Sequence, residues 1–208
     1  IDPWYIILVV PAMLLAFWAQ INVNTTFSRY SKVLAPSGMT GAESARRVLE
    51  ANGVTGVRIE RISGNLTDHF DPKTNTIRLS ESVYDATTVS AVGVAAHEAG
   101  HAVQYAVGYA PMQLRAAIIP ATNIGSQLAM PLVLLGLIFS SAMLVDIGII
   151  AFSMSTLFQL ITLPVEFNAS RRAVATLESS CVSDTEVKGA KAVLRAAALT
   201  YVAALAVS

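Results

Sequence analysis

Long apolar stretches frame one polar block in this chain. Residues 4–21, WYIILVVPAMLLAFWAQI, carry no charge. Their length is near the lower limit for a helix that crosses a bilayer. A signal peptide fits less well, because only Asp2 precedes the run and no small-x-small cleavage site follows it. The pattern predicts a transmembrane helix over 4–21, with Trp4 and Tyr5 at one interface and Trp18 at the other. Residues 22–115 are different in kind and hold all three histidines. Within them Thr40-Gly41-Ala42-Glu43 matches a capping box, so a short helix should follow and stop at Gly53. Residues 57–62 alternate apolar and charged positions, and 76–80 (TIRLS) alternate again. Gly64-Asn65 and Asp71-Pro72 read as turns between them, which predicts a small sheet or hairpin. Residues 86–108 are apolar and alanine-rich, and read as one helix.

From Arg115 to Glu166 the only charge is Asp146. That stretch is long enough for two crossings and too long for one. It predicts a helical hairpin, about 128–145 and 147–165, with Asp146 near the turn; burial of Asp146 in the membrane would be costly unless it were paired. Pro120, Asn123 and Gln127 point to interfacial or kinked backbone after Arg115. Polar residues return over 167–195. The closing apolar run, 196–207, is too short to span alone and should pack on the other helices. The fold class is thus α+β and mostly helical, one membrane-integrated domain over 1–208. A helix with a small β-sheet or hairpin is attached to about three to four transmembrane or membrane-embedded helices.

Composition agrees. Hydrophobic residues make up 54% and charged residues 13%, with a mean hydropathy of +0.56. Soluble chains carry about 25% charged residues. The net charge is zero, from 14 basic and 14 acidic residues, so no basic excess exists for a nucleic acid. Cys181, the single cysteine, cannot form an intramolecular disulfide and reads as a spectator thiol. Arg29 and Lys32 follow the first helix, and Arg171 and Arg172 follow the hairpin. Loop charge of that kind places both, and the polar block with them, on the cytoplasmic side of the cell membrane.

The chemistry concentrates in His97-Glu98-Ala99-Gly100-His101. Four residues apart on a helix, the two imidazoles share one face and can share one zinc ion. Glu98, rotated by about 100°, is poorly placed as a ligand of the same ion. It is well placed to act as a general base on water in the open coordination position. Three fixed residues in five recur by chance, but two of only three histidines fall in this frame. A catalytic zinc needs a third protein ligand. No third histidine follows at the metzincin spacing, where Val107 stands, so a downstream carboxylate is expected. Asp146 should lie across the membrane, whereas Glu178, Asp184 and Glu186 read as solvated surface. Glu166, in ITLPVEFNASRRA at the mouth of an apolar helix, is the best placed.

HEAGHAVQ, LPVEFNASRRA and DHFDPKTNTIRLSESVY together resemble the YugP-type membrane zinc metallopeptidases over nearly the whole chain. A more distant resemblance is to the HtpX-type and CAAX-processing membrane peptidases, whose third ligand is a glutamate in a pattern like E-[FY]-x-A-D. Here Ser170 replaces the aspartate, which leaves Asn168 or Ser170 to orient a histidine. The resemblance implies membrane-bound proteolysis by one Zn²⁺ held by His97, His101 and Glu166, with Glu98 catalytic.

The expected activity is hydrolysis of peptide bonds at the cytoplasmic membrane surface, on protein or peptide substrates associated with the bilayer, in processing or quality control. His69, in TDHFDP, is a candidate donor to the oxyanion of the tetrahedral intermediate, or else a polar hairpin residue. Strand 76–80 is a candidate edge for a peptide to extend, or simple structural pairing. Tyr105 reads as packing. The rivals are a catalytically silent scaffold that keeps the fold, and a transporter. A transporter would need ionisable residues inside its apolar segments, and only Asp146 qualifies.

Overall fold

The computed structural model describes residues 3–180 and 183–208, with Trp4 and Tyr5 described by backbone alone. The expectations for Cys181 and for the first aromatic belt therefore fall outside the described residues and side chains. Among the described residues seven helices and three strands follow in the order α1 (Pro3–Tyr30), α2 (Gly41–Ala51), β1 (Arg58–Ile62), β2 (His69–Asp71), β3 (Thr76–Ser80), α3 (Glu81–Tyr84), α4 (Val89–Ala106), α5 (Ala110–Ile138), α6 (Ala142–Ser179) and α7 (Asp184–Val207). The capping box holds: Thr40 Oγ1 accepts from the Glu43 amide at 3.2 Å, and the Thr40 amide donates to Glu43 Oε2 at 2.8 Å.

Four helices, α1, α5, α6 and α7, are long and apolar enough to cross a membrane. Large apolar side chains such as Ile7, Leu14 and Phe17 of α1, Leu137 of α5 and Ile150 of α6 stand exposed along them, as lipid-facing positions do. Helix α1 is longer than the uncharged run that announced it and ends only at Tyr30. The last apolar run is the end of the 24-residue α7, which packs on α1 and α6. Helices α5 and α6 form the expected hairpin, packed closely at Gly125 against Ala151 and Gly148 against Ala129. Its turn falls at 139–141, ahead of Asp146, which lies exposed just inside α6. Ser140 takes the left-handed conformation (φ 51°). Ser141 N–H reaches Gly136 O at 2.8 Å and Ser140 N–H reaches Leu137 O at 3.3 Å, a Schellman closure that ends α5 through the backbone. Neither Pro120 nor Asn123 nor Gln127 interrupts α5.

The sheet differs from a simple hairpin. Its order is β1-β3-β2, with β1 parallel to β3 and β2 antiparallel to it. Strand β3 is therefore the central strand. It is not the edge that a peptide would extend; the edges are β1 and β2. A further correction concerns Glu186, which is fully buried rather than solvated. Its carboxylate accepts from the Ser37 amide (3.1 Å) and hydroxyl (2.8 Å), and so ties the loop after α1 to the start of α7.

Helix α4 runs through the core. Ala91, Ala95, Ala96, Ala99 and Ala102 are at most 1% exposed. A helix apolar on nearly all sides is a buried helix, and α4 packs on α2, α6 and α7. It holds the histidines against α6.

Candidate metal centre

Two helices supply the site. Helix α4 presents His97, Glu98 and His101, and α6 presents Glu166, which is 2% exposed. They meet closely because Gly100 has no side chain: a Cβ there would stand 2.5 Å from Ala169 O of α6. Helix α6 passes Pro164 without a break, so the second arm of the apolar hairpin and the Glu166 segment form one continuous helix. Gly100→Ala should force the two helices apart, and with them the histidines from Glu166. We expect zinc per protein, measured by atomic spectroscopy after dialysis, to fall well below wild type. Unchanged zinc content would show that the close approach is not needed.

Three ligand atoms converge. His97 Nε2 lies 3.1 Å from Glu166 Oε2, His101 Nε2 lies 3.2 Å from His97 Nε2, and His101 Nε2 lies 3.4 Å from Glu166 Oε2. Ligands at ordinary zinc distances around a tetrahedral ion lie about 3.3–3.6 Å apart, so this triangle has the dimensions of one face of such a site.

Proton bookkeeping points the same way. Gln104 Nε2 donates to Val165 O (2.8 Å) and to Asn168 Oδ1 (3.0 Å). Gln104 Oε1 therefore faces His101 Nδ1, at 3.0 Å, and must accept from it. The neutral ring then carries its lone pair on Nε2. His97 Nδ1 is paired with Ser170 Oγ at 3.1 Å; where the hydroxyl accepts, His97 Nε2 too carries a lone pair. In that tautomer two nitrogen lone pairs and a carboxylate oxygen point at one another. A group of that kind could hold a metal ion. The donor set, two imidazoles and one carboxylate, suits zinc and leaves room for water as the fourth partner.

The other carboxylate oxygen, Glu166 Oε1, accepts from Arg115 Nη1 at 2.8 Å. Arg115 comes from α5, and its guanidinium lies 5.8 Å from the centre of the Phe158 ring. Of the residues expected to orient a histidine, Ser170 does so directly for His97. Asn168 acts through Gln104, and is itself held by Arg172 Nε at 2.8 Å.

A cavity of about 430 Å³ opens over these atoms. Glu98 lines it beside both histidines. Burial is the main cause that pushes the Glu98 carboxyl up, to about 7, against the pull of His97; Glu166 and Asp68 add to the rise and the Phe70 backbone amide opposes it. Asp68 also lines the cavity, and burial raises its carboxyl although it accepts from the Ser80 amide at 2.8 Å. His69 lines the cavity from the edge strand β2, with Nδ1 2.8 Å from Thr67 O. A carbonyl only accepts, so Nδ1 carries a proton, and Nε2 can donate only when the ring is charged. Tyr105 also lines it, its ring 5.8 Å from that of Phe70.

Three contributors were not singled out from sequence. Gln104 follows His101 by three residues and shares its helix face, a readable signal. Arg115 served only as a boundary of the apolar stretch. Tyr201 lines the cavity from α7, and nothing in its apolar surroundings marks it.

The chain is 49% identical over 205 residues to a protein of Bacillus subtilis (strain 168) named "Putative membrane protease YugP", an alignment covering 98% of this chain and 91% of that one. No solved structure matches it significantly. Residues 5–208 match the family described as "Putative neutral zinc metallopeptidase". A chain in which two imidazoles and a buried carboxylate converge across α4 and α6, and which matches over nearly its whole length, belongs to that family.

Proposed function

We propose that the protein is a membrane-embedded zinc endopeptidase with a gluzincin-like centre, in which His97, His101 and Glu166 hold the ion and Glu98 is the general base. The observation that carries this reading is the triangle of His97 Nε2, His101 Nε2 and Glu166 Oε2 beside the half-buried Glu98 carboxylate that lines the cavity. Zinc held there supplies a Lewis acid that brings the pKa of water to about 7 and polarises a carbonyl. Glu98 accepts the proton from the attacking water and passes it to the leaving nitrogen. Ser170 and Gln104 hold the imidazoles in the tautomer the site needs. His69 in its charged form and the Tyr201 hydroxyl are the donors available to a developing oxyanion. The substrate strand pairs with β2, the edge that lines the cavity, rather than with β3.

The test uses the purified full chain in detergent. Zinc near one per chain, with casein-type hydrolysis lost to a chelator and restored by zinc, is the expected result. Stoichiometric zinc without hydrolysis of unfolded protein would favour the scaffold reading. Absence of zinc would defeat the zinc-peptidase reading.

Arg29, Lys32, Arg171 and Arg172 favour a cytoplasmic site, with the α5–α6 turn on the far side. After Cys181 is replaced, a cysteine at position 75 should resist an impermeant reagent added to intact cells. One at position 140 should react. The reverse pattern would invert the topology.

A further inference from the structure

A second cavity, also of about 430 Å³, lies on the outer side of α6, between it and α7. Two helical stripes form it. Helix α6 gives Phe167, Ser170, Arg171, Val174 and Glu178, and α7 gives Lys191, Leu194, Arg195 and Ala198. The spacing of three and four residues in each stripe aims these side chains into one groove. Its character changes along its length. Phe167 and Ala198 mark the end toward the apolar parts of both helices, and Val174 and Leu194 continue the apolar floor. Arg171, Lys191 and Arg195, all exposed, stand within about two turns of that end. Among the described residues none of the three makes an ion pair or a side-chain hydrogen bond. Glu178 is the one carboxylate in the groove and lies at its polar end.

Scattered basic residues at a membrane surface need no explanation. Three unpaired cations converging over an apolar floor that leads toward a candidate membrane span are a more specific arrangement. It matches a molecule with a phosphate at one end and a hydrocarbon chain at the other. A water-soluble anion would leave the floor bare, and a neutral lipid would leave the cations unpaired. We propose that this groove binds one anionic phospholipid of the surrounding bilayer, with its phosphate on Arg171, Lys191 and Arg195 and an acyl chain along Val174, Leu194 and Phe167. The inference rests on the membrane reading above, and it deepens that reading by naming a lipid class. The groove also shares a wall with the metal centre, because Ser170 lines it and pairs with His97 Nδ1.

The experiment is native mass spectrometry of the full chain released from phosphatidylcholine nanodiscs containing phosphatidylglycerol. Wild type should retain one phosphatidylglycerol at least several-fold over phosphatidylcholine. The triple variant R171Q/K191Q/R195Q should lose that preference. So should V174W, which fills the floor and keeps the cations. A control triple, K32Q/R46Q/R47Q, should keep it. An unchanged preference in both groove variants, or equal loss in the control, would overturn the proposal. So would displacement of the lipid by 10 mM inorganic phosphate, or by a peptide through its C-terminal carboxylate. A chain that stays monodisperse in water without detergent would instead overturn the membrane reading itself.

Discussion

Glu98→Gln is expected to abolish hydrolysis while zinc stays bound. The carboxylate is next to a ligand but outside the triangle of ligand atoms, and it lines the cavity from which water would attack. Glutamine keeps the volume and polarity and removes the ability to accept a proton. Loss of a general base typically lowers the rate by about 10²- to 10⁴-fold, and by more when the same group must also protonate the leaving nitrogen. Zinc content should equal wild type within error. A variant that turned over like wild type would remove Glu98 from the mechanism; one that lost its zinc would make it structural. Stability supplies a second, independent reading. In the metal-free protein the Glu98 carboxyl is raised from about 4.5 to about 7, chiefly by burial. The folded state therefore binds this proton more tightly than the unfolded state does. Its contribution to stability is fully present below about pH 4.5 and is lost as pH rises through 7. Glutamine has no such dependence. Metal-free wild type should lose thermal stability relative to Glu98→Gln across that window, and parallel curves would contradict the burial of this group.

Where pattern, capping and metal geometry coincide, the chain could be read directly. Helix α4 was legible because alanine fills it and the spacing of His97 and His101 has meaning only on a helix; its cap at Thr88, which accepts from the Ala91 amide, came only with the structure. The capping box at Thr40 and Glu43 was equally plain, since both partners lie within four residues. What failed depended on contacts distant in sequence. The hairpin turn followed a backbone closure at Ser140 and Ser141, which a search for charge passes over in favour of Asp146. Strand β2 has three residues, too few to show alternation, so β3 looked like an edge when it is the centre. Glu186 sits among charged residues in sequence yet is buried against Ser37, a partner far along the chain. Arg115 and Tyr201 joined the site only once α5 and α7 were packed, and apolar neighbours hid them both.

The largest effect on metal should come from Glu166→Ala. Three protein donors plus water make a catalytic zinc site, and α4 supplies only two. Glu166 is the carboxylate whose oxygen completes the triangle, at 3.1 and 3.4 Å from the two imidazole nitrogens. It sits in an apolar rod, where an ionised group is costly unless it faces positive charge. Arg115 provides one such charge at Oε1, and a metal ion held at Oε2 would provide another. With alanine the ion would keep two protein ligands, and the Arg115 guanidinium would lose its acceptor beside it. Both changes disfavour a bound cation. Zinc per protein after gentle dialysis should fall to near background and hydrolysis should vanish with it. Glu178→Ala, which alters an exposed carboxylate remote from the triangle, should keep both. Glu186→Ala is unsuitable as a control, because it removes a buried carboxylate whose loss strands the Ser37 amide. Glu166→Gln separates ligation from charge: an amide oxygen can still approach the ion but is the weaker donor, so this variant should hold zinc less tightly than wild type and more tightly than Glu166→Ala. Full zinc loading in Glu166→Ala, or a structure in which this carboxylate lies well beyond about 2.0–2.2 Å from the ion, would require a different third ligand.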